Sequence, residues 1–341
     1  MTGELRLFSP GSLCAGCRFR PSCGAADTRH ACPEVWTRDL PGGPTVSHPE
    51  RSETARELEE LGGPEFGSVK ALARVELELP LYTPQARNER ALSGYLHGDA
   101  YFLRASAVLR KKHVLSAEEM RERLDLAANV RLVLLMFDHD KILEMAWERG
   151  LRLVEQIAAA GYDGVVSPSF STYWPRPATE FLINSKRSLI YFSALQAQGV
   201  QAIPRVAWMT IADAIRFGLW IQENPLVGAV ALDLSTYRRA EDWREQMEGL
   251  EIFDRLTGER LVYLLNGLTV ERRCLEVFSL LGVTRTRITN TTTQARIPPR
   301  RLRSIDNQVG ITFGARLNVR RGVVQSAATR FLAGQRLSWA A

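Results

Sequence analysis

Long apolar runs are missing from this chain. No stretch approaches the roughly 20 residues needed to span a bilayer, and the opening MTGELRLFSPGS has neither a basic nor an apolar leader segment. These absences predict a cytosolic protein with no membrane span. Histidine is scarce, five in 341 residues and none after His139, which excludes a His-rich catalytic metal site. The patterns G-x-S-x-G, P-loop and H-E-x-x-H are all absent, so ordinary serine hydrolase, kinase and zinc-protease chemistry has no carrier. From Arg285 to Ala341 there is no lysine and one acid, Asp306, against eleven arginines.

That arginine block gives most of the chain's positive character, because the net charge is +6 overall and the residues before it are slightly acidic. A guanidinium fork matches phosphate geometry. Arg296, Arg300, Arg301, Arg303, Arg320 and Arg321 are therefore candidate contacts to nucleic acid or nucleotide phosphate, with solvated surface arginines as the plainer alternative.

Cysteine is equally uneven. Four of the five cysteines, Cys14, Cys17, Cys23 and Cys32, fall in the first 32 residues with spacing C-x2-C-x5-C-x8-C, and the fifth, Cys274, lies in a helical stretch. In a cytosolic chain such clustering reads as a four-thiolate metal site. Structural zinc usually takes two close pairs. Here only the first pair has that spacing, so an iron–sulfur cluster is favoured, with zinc as the alternative. The spacing is similar to that of auxiliary 4Fe-4S clusters. With no C-x3-C-x2-C segment, structural or sensing duty is the default for such a cluster.

The rest of the chain divides into four parts. Residues 1–50 form the Cys-rich metal-binding segment. Residues 51–130 are a linker and mixed α/β lead-in. It holds a short helix ending at Gly62-Gly63, a strand in VKALARVELELP, and a helix after Ser116, whose Glu119 completes a capping box. Residues 131–295 repeat strand and helix: RLVLLMF, DGVVSPSF, VQAIPRVAW, VGAVALDLS, RLVYLLNG and TRTRITNT alternate with amphipathic segments. Apolar runs of this kind are buried on both faces, and the alternation demands parallel crossovers. The α/β class with a TIM-like barrel, complete or short of a strand, is the expected fold. A doubly wound sheet is second, since no Gly-rich turn follows a strand. Residues 296–341 form an Arg-rich C-terminal segment.

In barrels the working residues sit at the carboxyl ends of strands. Those positions hold Asp138, His139 and Asp140; Ser167, Ser171 and Tyr173; Arg205 and Trp208; Asp233 and Ser235; Asn266; and Asn290. Asp138 and Asp233 are candidate acid and base, or hard-metal ligands, because a carboxylate beyond an apolar strand is costly without a partner. Asp140 equally suits a helix cap. His139 is a candidate proton shuttle, or a salt-bridged surface group. Arg205 would clamp a phosphate or carboxylate, or pair with Asp233. Tyr173 and Trp208 would stack on a base, or fill the core.

The segments FDHDKILEMAW, YDGVVSPSFSTYWPRPATEFLINSKRSLIYFSALQAQGVQAIPRVAW and VALDLS resemble a family of bacterial, phage and plasmid proteins, the domain of unknown function 4417, over roughly residues 137–267. The matching features are an acid after the first strand (Asp138, with His139 where a second acid is expected), the S-P-x-F-S-x-Y turn from Ser167 to Tyr173, and the I-P-x-V-x-W strand from Ile203 to Trp208. The family has no assigned activity, so the resemblance implies mobile-element company. Two functions fit the whole chain: a metal-bearing barrel acting on a nucleic acid or nucleotide, or a non-enzymatic nucleic-acid-binding or assembly protein.

Overall fold

The computed structural model describes residues 57, 60–63, 65–86, 99–170, 178–291 and 321–333. Its strands are β1 (Tyr82–Ala86), β2 (Ala100–Arg104), β3 (Arg131–Leu135), β4 (Gly164–Val166), β5 (Ala202–Ile203), β6 (Ala229–Asp233), β7 (Val262–Asn266) and β8 (Thr286–Thr291). The helices are α1 (Ala105–Val108), α2 (Ala117–Arg123), α3 (Asp140–Ala159), α4 (Ala178–Ala197), α5 (Ile211–Glu223), α6 (Ala240–Leu256) and α7 (Glu271–Leu281), with α8 over 321–333. All strands are parallel, in the order β5-β4-β3-β2-β1-β8-β7-β6. The ring all but closes where Arg205 bridges Ala231: Val206 N–H donates to Ala231 O, and Ala231 N–H to Pro204 O, both at 2.9 Å. This is an eight-stranded barrel of the TIM-like kind.

The continuous apolar runs are explained by two cores on opposite faces of the sheet. Phe102, Val133, Leu135, Val166, Ile203, Ala231 and Leu264 pack together inside the barrel. Their alternating neighbours Tyr101, Leu103, Leu132, Leu134, Val165 and Val230 face the helices. The six strands and five helices expected from residue 131 onward are all present. So is the helix after Ser116, where Ser116 Oγ accepts from Glu119 N–H and Glu119 returns the bond to Ser116 N–H.

Two expectations are corrected. The strand expected in VKALARVELELP is not formed, and the barrel reaches back to Tyr82, ahead of the expected start at residue 131. Val75, Leu77 and Leu79 do alternate, but they pack as a plug on the inner apolar core. Gly164 makes room for this plug, since a Cβ there would stand 2.7 Å from Leu77 Cδ2. Backbone donors in the segment are met by side-chain amides instead of a partner strand. Ala71 N–H bonds Asn224 Oδ1 at 2.8 Å, Leu72 N–H bonds Gln196 Oε1 at 2.7 Å, and Glu76 N–H bonds Gln201 Oε1 at 2.9 Å. These amides lie at the ends of α5 and α4 and the start of β5, so the plug closes the amino end of the barrel.

Upstream of the plug the chain straps α4 and α5. Lys186 Nζ donates to Gly63 O and Glu65 O, each at 2.7 Å, and Trp220 Nε1 donates to Val69 O at 2.8 Å. Covered in this way, α4 is apolar or buried nearly all round, and burial pulls the Lys186 ammonium below its ordinary range. At the other end of the chain, α8 packs on α7 through Phe331 and Phe278, with ring centroids 6.3 Å apart. Among the described residues, no helix is long and apolar enough to cross a membrane.

Candidate functional site at the carboxyl end of the barrel

The register of the sheet sets four polar residues in one row across adjacent strands: Asp233 of β6, Asn266 of β7, Thr289 of β8 and Thr83 of β1. Asn266 Nδ2 donates to Asp233 Oδ1 at 2.8 Å, and Gln85 Nε2, one layer up on β1, donates to Asn266 Oδ1 at 2.6 Å. Gln85 thereby fixes which end of the Asn266 amide meets the carboxylate. Ser235 N–H adds a second bond to Asp233 Oδ1 at 3.0 Å. One carboxylate oxygen is held by two donors, which aims the other. Thr83 Oγ1 and Thr289 Oγ1 are fully buried and have no hydrogen-bond partner among the described residues. Burial of bare hydroxyls is destabilising, so packing alone does not explain this row.

Arg205 continues β5 toward the same end. Its N–H donates to Ser167 Oγ at 2.8 Å, and that hydroxyl meets Ser188 Oγ at 3.0 Å. The residue is only 4% exposed. Burial pulls its guanidinium down to about 10, while Tyr237 and Asp233 hold the charge up, so it stays protonated at neutral pH. Tyr237 belongs to the same cluster: burial pushes its phenol up to about 12, against the pull of Arg205. The mouth therefore pairs a fixed cation with a fixed carboxylate and a neutral phenol.

Asp138 follows β3 at the same end of the barrel, but its carboxylate is occupied. Oδ2 accepts from Ser106 N–H at 2.7 Å and lies 3.7 Å from Arg104 Nε, and Oδ1 accepts from His139 N–H at 2.9 Å. With its side chain 1% exposed, Asp138 clamps the end of β3 to the start of α1. His139 is exposed at the N-cap of α3, with no side-chain capping bond, and Asp140 occupies the first turn. Trp208 is core: its Nε1 donates to Gln246 O at 3.3 Å and its ring stacks on Phe253 at 5.7 Å. Tyr173 and Ser171 lie outside the described residues, as does the side chain of Asn290.

Of the arginine block, Arg285 forms a two-point pair with Asp254, at 2.6 and 2.9 Å. Arg287 donates to Thr284 O and Thr286 O, Arg321 lies near Tyr101, and Arg330 pairs with Glu271 at 3.3 Å. Arg285 and Arg287 thus have internal partners, while Arg330 pairs at the surface with its side chain 70% exposed. Arg296, Arg300, Arg301, Arg303 and Arg320 lie outside the described residues, as do Cys14, Cys17, Cys23 and Cys32. Cys274 is fully buried, and burial pushes its thiol up to about 12. Among the described residues, no three His, Cys, Asp or Glu side chains converge on one point.

The stretch from β2 to the first residues of β7 holds Arg104, Asp138, Ser167, Arg205, Asp233 and Tyr237. Residues 101–263 match the family model of a domain of unknown function (DUF4417). The DUF4417 match begins earlier than the resemblance read from the sequence and leaves out Thr83, Gln85, Asn266 and Thr289, the neutral side of the mouth. No curated protein matches the chain.

Sequence reading missed Gln85, Thr83, Arg104 and Tyr237. The signal for the first two was present as period-2 polarity in YTPQA, but Pro84 argues against a central strand. Arg104 closes a five-residue strand too short to stand out.

Proposed function

We propose that the carboxyl end of the barrel binds a phosphate-bearing ligand, a nucleotide or a nucleic-acid strand, with Arg205 holding the anion and Asp233 as the oriented proton acceptor. The observation that carries the reading is the buried, protonated Arg205 beside the doubly bonded Asp233 at the end where barrel enzymes do their chemistry. The neutral amides and hydroxyls of Gln85, Asn266, Thr83 and Thr289 suit the uncharged part of such a ligand.

A non-enzymatic binding or assembly role is the second reading. What favours it is Asp138, whose carboxylate is taken up by two backbone amides, so that among the described residues it does not serve Asp233 as a catalytic partner. As a further part of the proposal, Cys14, Cys17, Cys23 and Cys32 hold an iron–sulfur cluster of structural or sensing kind. Anaerobically purified protein should then be brown; colourless protein with stoichiometric zinc would refute the cluster.

The test of the binding site is calorimetric titration of nucleoside 5′-monophosphates and a short single strand into wild type, Arg205→Met and Asp233→Asn. Affinity should fall about tenfold or more in each variant, the equivalent of losing one charged contact. Unchanged affinity in both, or no binding by wild type at low salt, would overturn the phosphate reading.

A further inference from the structure

The crossover from β2 to β3 is described throughout and lays no long helix over the sheet. It consists of the four-residue α1, a turn bridged antiparallel between Leu109 and Val114, and the seven-residue α2. In an all-parallel fold this hairpin is unexpected, and its tip reads Arg110-Lys111-Lys112-His113. Arg110 N–H donates to His113 O at 2.9 Å, and Leu115 N–H to Val108 O at 3.0 Å. Lys111, Lys112 and His113 are exposed.

The hairpin is fastened to α3 by its backbone. Arg149 Nη1 donates to Arg110 O at 2.9 Å, and Gln156 Nε2 donates to Lys112 O at 3.4 Å. These bonds use carbonyl groups and leave the ammonium ends directed at solvent. No described carboxylate pairs with Lys111 or Lys112; Glu119, which feels the charge of His113, accepts from Ser116 N–H at 2.7 Å. Alongside, α3 is broken at Gly150 (φ 50°, ψ −136°), a conformation that disfavours any residue with a Cβ. Beyond the break Leu151 stands 69% exposed and Arg152 is exposed. The flank thus presents Lys111 and Lys112 at the tip, with Arg110 and Arg149 half-buried behind them, and Arg152 on α3 between the exposed acids Glu148 and Glu155.

We infer that this hairpin and the broken middle of α3 form a nucleic-acid backbone contact surface, separate from the barrel mouth. Like charges placed side by side repel, and at Lys111 and Lys112 they are held together by a turn that gives them no described carboxylate partner; a polyanion supplies the missing charge. A nucleic-acid strand is favoured over an anionic membrane because Leu151 is the sole large exposed apolar group of the patch. Membrane-surface anchors bury a broad apolar face.

The test is fluorescence anisotropy of a labelled single strand across a salt series, with full-length wild type, Lys111→Ala/Lys112→Ala, and Arg152→Ala. Loss of two phosphate contacts should reduce the slope of log affinity against log salt by about 1.4, and Arg152→Ala by about half of that. The lysine side chains make no internal bond, so melting temperature should not move, and nucleoside monophosphate binding at the mouth should be unchanged. An unaltered salt slope, no strand binding by wild type at low salt, or loss of binding only to phosphatidylserine vesicles would each overturn the inference. A mouth variant that loses mononucleotides but keeps the strand and its slope would sink the mouth reading and leave this one standing.

Discussion

The two ends of the barrel are built on opposite rules. At the amino end Val75, Leu77 and Leu79 close the bore, three side-chain amides tie down the backbone of the plug segment, and the buried Asp254 is paired: it holds Arg285 at two points and accepts the Tyr263 hydroxyl at 2.8 Å. At the carboxyl end the row Asp233, Asn266, Thr289 and Thr83 buries polarity that packing does not require, beside a buried cation. One end is optimised for stability, whereas the other accepts instability for the sake of a preorganised polar surface.

That contrast can be broken by substitution. Leu79→Asp puts an unpaired charge in the plug and should destabilise the fold by about 3–4 kcal/mol in urea unfolding; a loss under 1 kcal/mol would mean the plug is dispensable. Asp254→Ala strands Arg285 and the Tyr263 hydroxyl and should cost about 3 kcal/mol. At the mouth the order reverses. Asp233→Asn should change stability by less than about 1 kcal/mol while abolishing most ligand binding, and Gln85→Ala, which only releases the Asn266 amide, should weaken binding by about threefold. If Asp233→Asn unfolds the protein as Leu79→Asp does, the two ends are not different in kind.

The smallest effect sharpens the account of the outer core. Burial raises Cys274 from an ordinary 9.0 to about 12, and Tyr101 from 10.0 to about 12. Both groups are neutral when folded and ionise first in the unfolded chain. Their contribution is therefore complete below pH 9 and is lost as pH rises from 9 toward 12. Stability measured along this ramp should begin to fall near pH 9 in wild type and nearer pH 10 in Cys274→Ala. An identical onset in the two proteins would show that Cys274 is not buried as described.

Much of the barrel was legible because strands β3 to β7 are largely apolar on both faces and separated by helices of clear period. Of the strands that were not legible, β2 was too short to stand out and β1 was hidden by its own polarity. β1 carries Thr83, Pro84 and Gln85, a polar row around a proline, because it lines the mouth. The plug was misread because its alternation is that of a strand, while its hydrogen bonds come from Gln196, Gln201 and Asn224, distant residues whose pairing no local pattern records. Asp233 was recognisable from its place after an apolar strand. Asp138 had the same local signature, but Ser106 and Arg104, more than 30 residues earlier, turn it into a clamp.

The most direct test of the mouth is amide hydrogen exchange with and without a saturating nucleoside 5′-monophosphate. The account predicts added protection at the ends of β5, β6 and β7, at the amides of Val206, Leu234, Ser235 and Gly267. Protection confined to residues 109–114, or no change anywhere, would contradict it.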